Sequence, residues 1–225
     1  MQLFSSQQPA LASTNALLIN RVLRNTYLLL GATLIFSGLT AFWSMTHAVK
    51  PLNPFITLVC YFALIFITSA LRKSPLGIIA VFAFTGFMGY TLGPILDFYI
   101  RSFHNGGQLV MTSLGATGII FVGLSGYALL TRKDFSYMGG FLTVAILGAF
   151  LLGLGAMFFH MPMLSLVVSG AFILICSGLI LFQTSQIIHG GETSYIMATI
   201  SLYVSLLNIF LNLLSILGAF SNNRN

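Results

Sequence analysis

Five residues pose the chemical question in this chain. Ser201, Ser205, Asn208, Asn212 and Ser215 recur at spacings of four, three, four and three. At about 100° per residue of α-helix they fall in one sector roughly 80° wide, with Tyr203 off it. Hydroxyls and amides arranged this way can do one of two things inside hydrocarbon. They bond to neighbouring helices as a structural seam, or they wall a narrow polar path for ions or protons. A second polar row accompanies them. Ser169, Cys176 and Gln183 stand seven residues apart, near one helical face, and Gln183 is within reach of the stripe as a hydrogen-bond partner.

Other residues raise chemistry that the sequence then removes. Gly123-Leu124-Ser125-Gly126 is similar to the GxSG of rhomboid intramembrane proteases, whose serine needs a base within hydrogen-bond reach. The later apolar segments hold no internal histidine, since His160 and His189 fall in loops, so that activity is excluded. A retinal Schiff base is excluded as well, because the last apolar segment has no lysine.

Few titratable groups remain. Asp97 stands beside Arg101 as a local ion pair, and Asp134 follows Arg132-Lys133 as a cap for the next helix. Glu192 precedes the last helix, whose dipole favours a carboxylate; its alternative role is a cation or proton site at the inner mouth, shared with Arg72 and His189. His47 and His104 read as solvated loop residues. Cys60 and Cys176 lie in apolar runs and behave as small hydrophobes. Nothing calls for a cofactor, a metal or a catalytic residue.

The elements that must position these groups follow from composition. The chain has 225 residues, 57% hydrophobic and 5% charged, with a mean hydropathy of +0.99. That excludes a soluble domain and makes the lipid bilayer its first partner. The formal charge of +6 is spread in ones and twos between apolar segments, so it marks topology and not nucleic acid. Spans are expected at 26–46, 55–71, 76–96, 107–131, 139–159, 163–187 and 195–219. The fold class is therefore an all-α integral membrane protein, a seven-helix bundle with the seventh helix, which carries the stripe, at its centre.

Three segments result: an N-terminal tail at 1–25, a membrane domain at 26–219, and a short C-terminal tail at 220–225. Residues 1–20 are uncharged and read as a flexible tail, with Leu11, Leu18 and Val22 able to form one face of a short helix. Arg21, Arg24, Arg72, Lys73, Arg132 and Lys133 fall on one side, and Lys50, Arg101 and Arg224 on the other. Six against three puts the N-terminus on the inner, cytoplasmic side and the C-terminus outside. Gly86, Gly89 and Gly93 in the third span, and Gly115, Gly118 and Gly126 in the fourth, read as helix-packing surfaces. Pro94 is expected to bend or end the third span.

Two runs, 181–187 (LFQTSQI) and 201–214 (SLYVSLLNIFLNLL), resemble the last two helices of the Bax inhibitor-1 family. Four more are similar to a bacterial branch of it: 22–27 (VLRNTY), 82–96 (FAFTGFMGYTLGPIL), 131–136 (TRKDFS) and 189–193 (HGGET). The resemblance implies a seven-helix bundle around its last helix, and two functions. Some members are pH-sensitive Ca2+ or H+ leak channels gated by paired aspartates; those positions are Gln183 and Ser205 here, and neither titrates. Arg72 resembles the basic partner of that pair. The bacterial branch instead restrains the membrane-anchored AAA protease FtsH, with its HflK–HflC partners, through a cytoplasmic N-terminal handle. A regulator that binds this protease in membrane-protein quality control is the expected function. The leak channel is the alternative, and a solute transporter has little support because no inverted repeat stands out.

Overall fold

A computed structural model describes residues 8–222. Among them are seven helices and no strand: α1 (Gln8–Thr46), α2 (Pro54–Ala70), α3 (Leu76–Ser102), α4 (Gly106–Thr131), α5 (Met138–Phe158), α6 (Pro162–Ile188) and α7 (Tyr195–Asn222). Six are long and apolar enough to cross a membrane; α2, at 17 residues, stands at the lower limit for a crossing. The chain is a multi-pass membrane protein.

The breaks fall where local chemistry puts them. Asn53 caps α2 by accepting the Phe55 N–H at 2.9 Å, with Pro54 preorganised in the first turn. Ala48, Arg132 and His160 adopt left-handed backbone just beyond the ends of α1, α4 and α5. His160 and Pro162 thus divide the long apolar run into α5 and α6.

Two expectations change. Residues 8–20 are helical and not a loose tail, because α1 begins at Gln8 and runs unbroken into the span. Pro9 sits in the first turn, where its missing N–H costs nothing, and the alanines and leucines after it favour helix. The expectation for residues 1–7 lies outside the described residues. Pro94 does not end its helix, which continues to Ser102. Proline cannot donate to the Tyr90 carbonyl four residues back. The Ser44 hydroxyl, fully buried on α1, donates to that carbonyl at 2.8 Å instead.

α7 is the interior helix. No residue from Tyr195 to Ala219 is exposed. α1, α3, α4 and α6 surround it, and α2 packs on α3 and touches its edge. α5 lies outside and packs on α6 alone.

The tightest seam, between α1 and α3, explains the glycines of α3. A Cβ on Gly93 would lie 2.6 Å from that of Ser44, and one on Gly86 would lie 2.7 Å from the Phe36 ring. One on Gly89 would collide with Thr40 Oγ1 and the Ser37 carbonyl. The glycines of α4 are different. A Cβ on Gly115, Gly118 or Gly126 meets nothing within 4 Å, so the packing role expected for them is corrected. Gly115 and Gly118 are exposed on the outer face of α4, where no partner helix comes.

Candidate functional site

The polar groups of α7 divide into two faces with different partners. Along the stripe the bonds are local. Ser205 Oγ donates to the Ser201 carbonyl at 2.9 Å. Asn208 Nδ2 donates to Val204 O, and Asn212 Nδ2 to Asn208 O, each at 2.8 Å. Only Ser205 of the five is buried; Ser201, Asn208, Asn212 and Ser215 are half-buried. The Asn208 and Asn212 side-chain oxygens accept no hydrogen bond from the described residues. Gln183, half-buried on α6, makes no bond to the stripe among them.

Most bonds to other helices come from off the stripe. Tyr203, fully buried, points about 200° round from Ser201. Its hydroxyl donates to the Thr85 carbonyl of α3 at 3.4 Å, leaving the Ser37 hydroxyl of α1 to donate to the phenol oxygen at 2.6 Å. One turn earlier, Thr199 Oγ1 bonds its own-helix Tyr195 carbonyl at 2.7 Å and lies 3.3 Å from the Thr26 carbonyl of α1. The Tyr27 hydroxyl meets Thr184 of α6 at 3.4 Å, and its ring lies against Phe121 of α4. A polar layer thus joins α1, α6 and α7, with Thr26 Oγ1 buried in it without a partner. Sequence reading missed Tyr203, because the periodicity that found the stripe set it aside.

The mouth at the α6–α7 turn is a knot of loops. Ser185 Oγ accepts the Phe135 N–H at 2.9 Å and donates to the Lys133 carbonyl at 3.2 Å. Gln186 Nε2 donates to Ser136 Oγ at 2.9 Å, while its carbonyl accepts the N–H groups of Gly191 and Glu192. Three of the sequence runs, 131–136, 181–187 and 189–193, therefore tie to one another. His189 Nδ1 lies 2.9 Å from the Ser185 carbonyl, and Glu192 Oε1 accepts the Ser194 N–H at 2.8 Å just before α7. Arg72 is exposed in the α2–α3 turn and forms no ion pair among the described residues.

Asp134 accepts the Ser136 N–H at 2.8 Å, one turn ahead of α5. The Ser136 hydroxyl and backbone N–H hold its carboxyl below the ordinary value of 3.8. Asp97 and Arg101 pair at 2.7 Å, as expected from their spacing. Ser125 Oγ is buried without a hydrogen-bond partner, so no base is in place to activate it.

Fold and site together define a class: a polytopic helical membrane protein in which six apolar helices are arranged about one polar helix and all but one of them touch it. The family model described as "Inhibitor of apoptosis-promoting Bax1" matches residues 19–222. The chain belongs to the Bax inhibitor-1 family. It is similar to the Escherichia coli protein named "Modulator of FtsH protease YccA", 48% identical over 210 residues that cover 93% of this chain and 95% of that one. An uncharacterised Pseudomonas aeruginosa protein is 49% identical over 89% of this chain and 90% of its own length. An uncharacterised Vibrio cholerae membrane protein is 40% identical over 91% of this chain and 92% of its own length.

Proposed function

We propose that this chain is a regulator in the bacterial inner membrane that binds and restrains the FtsH protease, with HflK–HflC, and acts by binding rather than by catalysis. The observation that carries this reading is the 48% identity, over nearly the whole chain, to the protein named as modulator of that protease. Two physical features support it. The segment ahead of the first span has no charge before Arg21, and the basic residues following it favour the cytoplasmic side, with the C-terminus periplasmic. The body behind it is hard to extract, because α7 is enclosed along its length and tied by Tyr203 to both α1 and α3. Deleting residues 1–20 tests the handle. Co-purification with FtsH from membranes, and slowing of an FtsH reporter substrate, are expected to be lost while the bundle's melting profile is kept. Unchanged engagement would refute the handle, and full-length chain that never co-purifies with the protease would refute the reading.

A Ca2+ or H+ leak is the second reading. It draws on the acceptor oxygens of Asn208 and Asn212, which no described residue satisfies. Purified protein in liposomes would then pass calcium, and Asn208→Leu or Asn212→Leu would change the flux. Gln183 and Ser205 supply no titrating pair, so this reading takes no pH gate from those two positions.

A further inference from the structure

The outward face of α3 carries two hollows, one above the other. The lower is an apolar groove of about 590 Å3 walled by Phe36 and Trp43 of α1 and floored by Ile79, Ala83, Gly86 and Tyr90. The upper, of about 380 Å3, is lined by Pro94, Asp97 and Arg101 and by Lys50 from the loop that follows α1. On α3 these floor residues form a single row: 79, 83, 86, 90, 94, 97 and 101 step by three or four, so both hollows lie on one helix face. The row passes from wholly apolar to charged.

Its dimensions match a lipid. From Asp97 down to Ala83 the row falls about 21 Å at 1.5 Å per residue, close to half of a bilayer about 40–45 Å thick with its headgroups. Trp43 and Tyr90 line the upper part of the groove, with Tyr90 about 10 Å below Asp97 along α3. Asp97 and Arg101 stand about 10–17 Å beyond Tyr90 by the same rise, in the headgroup layer. There, two cations face one carboxylate. Asp97 occupies Arg101 Nε at 2.7 Å, and the terminal guanidinium N–H groups have no partner among the described residues.

We propose that this face holds one anionic phospholipid. Its phosphate is taken by Lys50 and Arg101, and one acyl chain lies in the groove between Phe36 and Tyr90. A bulk annular lipid needs neither a concave wall nor a charge at one end. The bound lipid also covers the α1–α3 seam where Gly86 admits the Phe36 ring, so the site sits on the tightest contact of the bundle.

The test is native mass spectrometry of the full-length protein with dioleoyl-phosphatidylglycerol or dioleoyl-phosphatidylcholine, after confirming that each variant melts as wild type. The wild type should retain the anionic lipid in preference to the zwitterionic one. Lys50→Gln and Arg101→Gln should each lower that retention about fivefold, the effect of one basic residue at a lipid surface. Asp97→Asn frees the guanidinium and should raise it, whereas a merely structural ion pair would give no gain. Ala83→Trp fills the groove from an exposed position and should expel the chain with the headgroup site intact. Equal retention of the two lipids by wild type, or anionic retention unchanged by both the charge variants and Ala83→Trp, overturns the proposal.

Discussion

Replacing Ser44 by alanine tests how this bundle accommodates a proline within a membrane helix. Pro94 has no N–H for the Tyr90 carbonyl, and the Ser44 hydroxyl, 0% exposed, donates to it at 2.8 Å. Hydrogen bonds between membrane helices contribute about 0.6 kcal/mol on average and up to about 1.7. Ser44 belongs near the upper figure. The carbonyl it satisfies has no amide of its own, and an unpaired buried acceptor costs about 1–3 kcal/mol. Ser44→Ala should therefore destabilise by about 1.5 kcal/mol, measured by equilibrium unfolding in mixed micelles. Pro94→Ala supplies the decisive comparison, because alanine restores an N–H to bond Tyr90. In that background Ser44→Ala should cost no more than about 0.5 kcal/mol, the residue of lost packing, giving a coupling of about 1 kcal/mol. The small void left by the oxygen is common to both backgrounds and cancels. If Ser44→Ala costs the same with and without the proline, the carbonyl is satisfied in some other way and the reasoning fails.

Three further outcomes follow from the packing. Tyr203→Phe should cost about 1 kcal/mol in the same assay, since it removes the bonds to Ser37 and Thr85, whereas Asn208→Leu should stay within about 0.5 because Asn208 donates only to its own helix. Gly89→Val should cost about 2–3 kcal/mol by forcing α1 from α3, while Gly115→Val, pointing into open space, should stay within about 0.5. The Asp134 carboxyl is held low in the folded chain, so its stabilising contribution is present above about pH 4 and is lost as pH falls through the lowered value. Asp134→Asn should flatten the decline in stability below about pH 4, and an unaltered acid limb would show the Ser136 contact to be without effect.

The helices were legible in the sequence because basic pairs such as Arg72-Lys73 and Arg132-Lys133 stand between the apolar runs. The centrality of α7 was legible too, since a row of amides and hydroxyls cannot face lipid. What stayed hidden depends on which helix lies opposite. Gly89 and Gly115 look alike in sequence, and only the approach of α1 to one of them makes it indispensable. Pro94 reads as a helix end until Ser44 is found across the seam. The stripe announced polarity but not its partners: an amide in a helix can bond four residues back, as Asn208 and Asn212 do. Tyr203, Thr199 and Ser221 bond α7 to its neighbours, and none of them shares the stripe's spacing.

The arrangement of the bundle follows from how much each helix needs its neighbours. In hydrocarbon an apolar helix gains little from being inside, because lipid tails solvate leucine as well as another helix does. α5 has one polar side chain, Thr143, which bonds the Gly139 carbonyl of its own helix, and α5 touches only α6. α7 has the most to satisfy and touches five helices. α3 comes between: the carbonyl freed by Pro94 calls for α1, and the Tyr203 hydroxyl draws α7 to the Thr85 carbonyl, while the opposite face of α3 is left to lipid. Polarity therefore ranks the helices from the centre outward. The hydrophobic residues supply thickness and fill the space, and the handful of hydroxyls and amides decides which helix stands where.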